Sequence, residues 1–195
     1  MKKKIIASLI VVIGIAIGGY MVADQKIVEV TNIESGFMIS YDNYQDRLAN
    51  SDLVVVAQLA DDPVSVETTL NGLSDGYHLS KIKISKIIKG EIKGEINKKV
   101  IEIREPYFIR EKGAMPGKEE VYYGDYTKME KGKKYLLFLG WGEAWGQYGI
   151  SSSQEGKFNL DGKDKNELKK YQENDKLLKL KNDIFKNKEM LELKE

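Results

Sequence analysis

Apolar positions along the chain fall into three regimes: an unbroken run near the start, short runs and strict alternation through the middle, and helical spacing at the end. The middle regime predicts β-structure. SDLVVVAQLA (51–60) is a β-branched run suited to a buried strand, stopped by Asp61-Asp62-Pro63. From His78 to Lys89, Lys81 and Lys83 alternate with Ile82 and Ile84, and the phase slips over Ser85–Ile88, which predicts a bulge. Gly90 ends that strand, and a second alternating strand follows over 99–104. The lysine-rich KIKISKIIKGEIKGEI (81–96) therefore reads mainly as the solvated face and ends of a β-meander, with contact of its lysines to an anionic polymer or lipid headgroups as the alternative.

Further strands are expected at Lys26–Val30, Glu120–Tyr123, Tyr135–Leu139, Gln147–Ser152 and Lys157–Leu160, with turns at Lys131-Gly132, Gly146 and Glu155-Gly156. Phe108 to Glu119, holding Gly113, Pro116 and Gly117, reads as a loop. A short helix is expected over Tyr41–Ser51, where Tyr44, Leu48 and Leu53 line one side. At the C-terminus, Asp164 and Glu167 form a candidate capping box, with Asp in the Ser/Thr role. Beyond it Leu177, Ile184 and Leu191 recur at seven residues, beside Tyr171, Leu178 and Phe185, as one apolar stripe. Many short strands with turns between them favour a sandwich or small barrel over a βαβ fold.

The run at the start is Ile5 to Ala23, 19 uncharged residues after Lys2, Lys3 and Lys4. At roughly 1.5 Å per residue it just crosses a hydrocarbon core about 30 Å thick. The lysines stay on the cytoplasmic side, which puts the rest outside. An uncleaved anchor and a signal peptide cut after Gly18 or Ala23 are both open, and either one makes the domain extracytoplasmic. The expected organisation is an anchor or signal peptide over 1–23, a linker over 24–40, a β-barrel domain over 41–162 and a helical segment over 163–195.

Composition narrows the chemistry. The 195 residues are 42% hydrophobic and 31% charged, enough for one compact domain. Setting the three N-terminal lysines aside leaves 28 basic against 30 acidic residues, about −2. A slightly acidic domain lacks the positive field of a nucleic-acid binder. With no cysteine there is no disulfide, thiolate nucleophile, lipidated Cys or Cys-based metal site.

Three stretches in order resemble the netrin-like modules, the OB-fold barrels that include the tissue inhibitors of metalloproteinases. ANSDLVVVAQL is similar to their opening strand, LSKIKISKIIKG to the long second strand, and KMEKGKKYLLFL to a Gly-x-x-Tyr-Leu strand; together they span 49 to about 152. The resemblance implies a five-stranded Greek-key barrel flanked by helices, and a binding role. In the inhibitors an N-terminal cysteine chelates the target's zinc. Asn50-Ser51 stand in that place here, so metalloproteinase inhibition does not carry over.

The lone histidine, His78, has no second His or Cys for a zinc site, and reads as an exposed residue at a strand start. Carboxylate acid/base work has a pool in Glu102, Glu105, Glu120 and Asp125, against the simpler reading of solvated surface charge. Glu119 falls in the same stretch. No phosphate-cradling glycine motif or other cofactor signature is present. The most unusual local composition is Gly140–Gly149, a glycine-rich hairpin holding both tryptophans, Trp141 and Trp145, with Tyr148. Stiff indoles on an adaptable loop are a contact surface, or else a plug for the barrel end. The expected fold is thus mainly β (α+β): a small OB-like barrel with a short N-terminal helix and a C-terminal helix behind the membrane or signal helix. Its expected role is a non-enzymatic binding module for an envelope protein or cell-wall polymer. Trp141, Trp145 and Tyr148 would carry it, with Tyr122 and Tyr123 from the neighbouring loop. A carboxylate-dependent envelope hydrolase and an inhibitor or immunity protein are the alternatives.

Overall fold

The computed structural model describes residues 21–34, 39–70, 73–93 and 99–187. The expected membrane span lies outside them except for Met21–Ala23. Among the described residues no helix is long and apolar enough to cross a membrane. Leu191 of the C-terminal stripe also lies outside.

Among the described residues ten strands carry the fold: β1 (Ile27–Ile33), β2 (Leu53–Leu59), β3 (Val64–Leu70), β4 (Leu73–Lys89), β5 (Val100–Glu105), β6 (Tyr107–Glu111), β7 (Lys118–Tyr123), β8 (Tyr135–Gly142), β9 (Gln147–Ile150) and β10 (Lys157–Asn159). Helices are α1 (Tyr44–Ala49), α2 (Lys165–Glu173) and α3 (Asp175–Lys186), with a 3-10 turn over Ser153–Gly156. β2, β4 and β5 form an antiparallel meander, and β8 returns to lie beside β2. The order β8-β2-β4-β5 is a Greek key. β9 hairpins back from β8 and pairs with β5, so the ladders return to their starting strand. A circuit of five strands cannot alternate direction throughout, and the β5–β9 pair is indeed parallel.

Alternation explains the core. Leu53, Val55 and Ala57 of β2, Ile82 and Ile84 of β4, Ile101 and Ile103 of β5, Leu137 and Leu139 of β8 and Ile150 of β9 meet inside the circuit. β2 and β8 are apolar on both faces, because their outer residues Val54, Val56, Leu136 and Phe138 are covered by the helices. Leu177, Leu180 and Ile184 of α3, each buried at about 2 kcal/mol relative to exposure, hold that cover in place. The bulges fall where the phase slipped, with register shifts opposite Val54/Val55 and Val56/Ala57. At Gly90 φ is +82°, and a Cβ would sit 2.1 Å from the Asp52 carbonyl oxygen, so only glycine ends the strand there. The Lys89 ammonium caps α1 by donating to the carbonyls of Leu48 and Ala49, both at 2.8 Å.

Three expectations are corrected. The loop over Phe108–Glu119 is instead the hairpin β6–β7, with only 112–117 connecting its strands. That hairpin and β1, which pairs in parallel with β7, form a second, three-stranded sheet. His78 is not an exposed strand start: β4 begins at Leu73, pairs with β3, and buries His78 in its interior. The C-terminal stripe is two helices, because Asn174 leaves helical conformation and its side chain caps α3 through Leu177 N.

The capping box is half made. Asp164 accepts from Glu167 N at 3.0 Å, but the Glu167 carboxylate turns inward. It accepts from the fully buried Lys157 ammonium (2.7 Å), Gln154 (3.1 Å), Asn159 N (2.6 Å) and the Tyr171 hydroxyl. Asp164 lies 3.5 Å from the same ammonium and accepts from Tyr135. A cation held by two carboxylates and two aromatic rings is the polar bolt that fastens α2 to β8 and β10.

Candidate functional site

The five-stranded circuit has unequal walls. Helices cover β2 and β8, and the second sheet lies against β3 and the start of β4. The outer face of β4, β5 and β9 remains solvated, carrying Lys81 and Lys83 opposite Glu102 and Val100. At the edge of this wall, where it meets the interior of the circuit, lies a cleft of about 350 Å³, within the size range of small-ligand sites.

The β8–β9 hairpin builds one side. Trp141 pairs with Tyr148 across the ladder, and their rings meet edge to face at 4.9 Å. The Trp141 amide donates to Asp52 at 2.7 Å, which pins the strand to the α1–β2 corner. Tyr148 donates its hydroxyl proton to the Glu91 carbonyl (2.9 Å) and accepts from Lys93 N (3.2 Å). The two rings are thus fixed from both ends. Ile92, Val100 and Ile101 add apolar lining, while Lys81, Lys93 and Glu102 supply charge. The Lys93 ammonium stands 4.7 Å over the Trp141 ring and 3.1 Å from Glu143. Hydrogen bonds from Lys93 and then from Trp141 hold the Glu143 carboxyl below its ordinary range. Aromatic face, apolar floor and paired rim charges suit the CH faces and hydroxyls of a saccharide.

The expected binding residues do not all meet. Trp141 and Tyr148 line the cleft, yet Tyr148 is buried in the inner core and Trp141 packs against that core, so both also close the end of the circuit. Trp145 stands beside it, 59% exposed, packed so closely over Gly142 that a Cβ there would reach 2.2 Å from its ring. Tyr122 and Tyr123 belong to β7, away from the cleft. Tyr122 is buried against Tyr107 at 5.3 Å, and burial with Glu120 nearby pushes its phenol far up. Tyr123 donates to Asp75, and burial first, then that bond, raises it to about 12.

The carboxylate pool is dispersed. Glu102 lines the cleft, and Asp125 accepts from Asn174 at 3.3 Å. Glu105, Glu119 and Glu120 are buried, contrary to the expected solvated surface. Glu105 accepts from Ser80, from the Tyr126 hydroxyl (2.6 Å) and from Met129 N (3.0 Å), and burial raises its carboxyl. Glu119 pairs with Arg110 and Glu120 with Lys128, at 2.8 and 2.7 Å. Among the described residues no cluster of His, Asp and Glu has the makings of a metal site.

Sequence reasoning missed Lys93, Ile92 and Glu143 as neighbours of Trp141. The only available signal was the Tyr148 position opposite Trp141 in a predicted hairpin, since the β4–β5 connection reaches the hairpin through tertiary packing alone. The chain matches no protein-family model and no curated protein.

Proposed function

We propose that this chain is a membrane-anchored or secreted envelope protein whose β-domain binds a cell-wall saccharide polymer without turning it over. The observation that carries the reading is the cleft where Trp141 and Tyr148, packed against the circuit's interior, meet the edge of the β4–β5–β9 wall that neither helices nor the second sheet cover. OB-type barrels take oligosaccharides and oligonucleotides on the face of their second and third strands and at the loop joining the fourth to the fifth. Counted around the circuit, those elements are β4, β5 and the β8–β9 hairpin, which supports an OB-type reading of the fold. The charge of about −2 beyond residue 23 favours saccharide over nucleic acid. Residues 5–23 would hold the domain at the outer face of the membrane, with Lys2–Lys4 inside.

Tryptophan fluorescence tests this directly, because Trp141 and Trp145 are the only two tryptophans. The full chain in detergent is titrated with soluble peptidoglycan fragments. Trp141→Ala, confirmed as folded by its thermal transition and read through Trp145, should weaken binding by about thirty-fold, the worth of one central aromatic anchor. Binding within about two-fold of the unsubstituted protein would remove the cleft from the account.

A further inference from the structure

The chain has three arginines, and two have a strong partner inside the protein. Arg47 is buried and donates to Glu155 O, the Ser51 hydroxyl, Phe138 O and both oxygens of Ser151. Arg110 is paired with Glu119. Arg104 differs. It alternates with buried Ile103 and Glu105, so it faces outward on the wall whose edge borders the cleft. Its partner across the β5–β9 ladder is Gly149, which has no side chain to cover it. The guanidinium carbon lies 3.9 Å from the centre of the Tyr77 ring and 4.6 Å from that of Trp145. Its Nε donates to Gln147 at 3.1 Å, and Gln147 itself lines the cleft. Among the described residues no carboxylate pairs with Arg104, and no acceptor takes a hydrogen bond from its two terminal nitrogens.

We propose that Arg104 is an anion-recognising residue of this binding wall, so that the polymer held in the cleft carries a carboxylate or phosphate beside the ring that meets Trp141. The inference rests on the saccharide-binding reading above. Two aromatic faces remove the freedom a surface arginine would otherwise lose on binding, and the N–H fork of its two terminal nitrogens, unused inside the protein, can make a bidentate contact. The surrounding charge agrees. Lys93 is matched by Glu143, while Lys81, Lys83 and Arg104 face outward on the wall that carries Glu102. The nearest carboxylate to Lys81 in an ion pair is Asp61, at the 4.0 Å limit.

The test is calorimetric titration of the full chain in detergent with three probes: a neutral N-acetylglucosamine trimer, a peptidoglycan fragment with free stem carboxylates, and a glycerol-phosphate oligomer. One anionic probe should bind about ten-fold or more tighter than the neutral trimer, with an advantage that shrinks in high salt. Which anionic probe gains identifies carboxylate or phosphate as the natural group. Arg104→Gln should erase the advantage, and Arg104→Lys should not restore it, because an ammonium keeps the charge without the fork. If Arg104→Gln leaves the anionic probe's affinity unchanged, Arg104 only fastens the hairpin and the proposal is overturned. If the neutral trimer binds as tightly as the anionic probes, lost in Trp141→Ala but kept in Arg104→Gln, the proposal falls and the cleft reading stands. If no probe binds, both fall.

Discussion

His78 and Glu105 lie within reach of one another's neighbours, and burial drives their titrations in opposite directions. Desolvation lowers the His78 imidazole from 6.5, its Nδ1–H donating to the Tyr107 carbonyl at 3.0 Å with the ring stacked on Tyr107 at 3.9 Å. Glu120 favours the charged form and Lys128 opposes it. Below 6.5 the unfolded chain takes up a proton that the native state refuses, so stability falls as pH drops through that window. The raised Glu105 carboxyl does the reverse: the native state keeps its proton above 4.5, and stability falls as pH rises toward the elevated value. His78→Phe keeps the stack and removes the titration. Its melting temperature should therefore fall less than that of the unsubstituted protein between about pH 7 and pH 5.5; parallel curves would show that His78 does not titrate in that window. The inward position of Glu105 was legible in the alternation, since it shares parity with Ile101 and Ile103. Its polarity hid it, because a buried carboxyl is recognisable only when Ser80, Tyr126 and Met129 N converge on it from distant segments.

At the scale of elements, the chain announces the strands that are buried on both faces. The runs LVVVA and YLLFL carry no polar residue, and β2 and β8 are found there. Hairpins with one solvated face were harder. YFIRE and KEEVYY place charges at alternate or terminal positions, and Pro106, Gly113, Pro116 and Gly117 around them suggest a loop until the strands are seen paired. α2 is announced by Asp164, yet its docking is not, because the Lys157–Glu167 contact joins a strand whose three residues are all buried to a helix of polar surface. Glu167→Ala leaves the buried ammonium with Asp164 at 3.5 Å and costs about 3 kcal/mol by denaturant unfolding. Double substitution with Lys157→Met should recover part of that loss, since the stranded ammonium is gone and the buried Asp164 carboxylate keeps the Tyr135 hydroxyl and the residue-167 amide as donors. Equal instability in both variants would show that the pair contributes nothing beyond packing.

For the molecule as a whole, the division of walls decides where function can sit. The helices face β2 and β8, the second sheet faces β3 and the start of β4, and the β4–β5–β9 wall keeps its polar residues in water. The tryptophan hairpin was visible from composition, but its split was not. Trp141 turns to the cleft, and Trp145 folds over Gly142 and Arg104. Tyr122 and Tyr123, adjacent in sequence to the expected binding loop, went to the second sheet because their strand buries one of them and bonds the other. The central claim is that a cell-wall saccharide is held on this wall and left intact. Hydrogen-exchange mass spectrometry of the full chain, with and without soluble peptidoglycan fragments, tests it in one sample. The account predicts added protection in peptides covering 81–93, 100–105 and 140–149, with fragments of unchanged mass. Protection confined to β6–β7, or fragments shortened by hydrolysis, would contradict it.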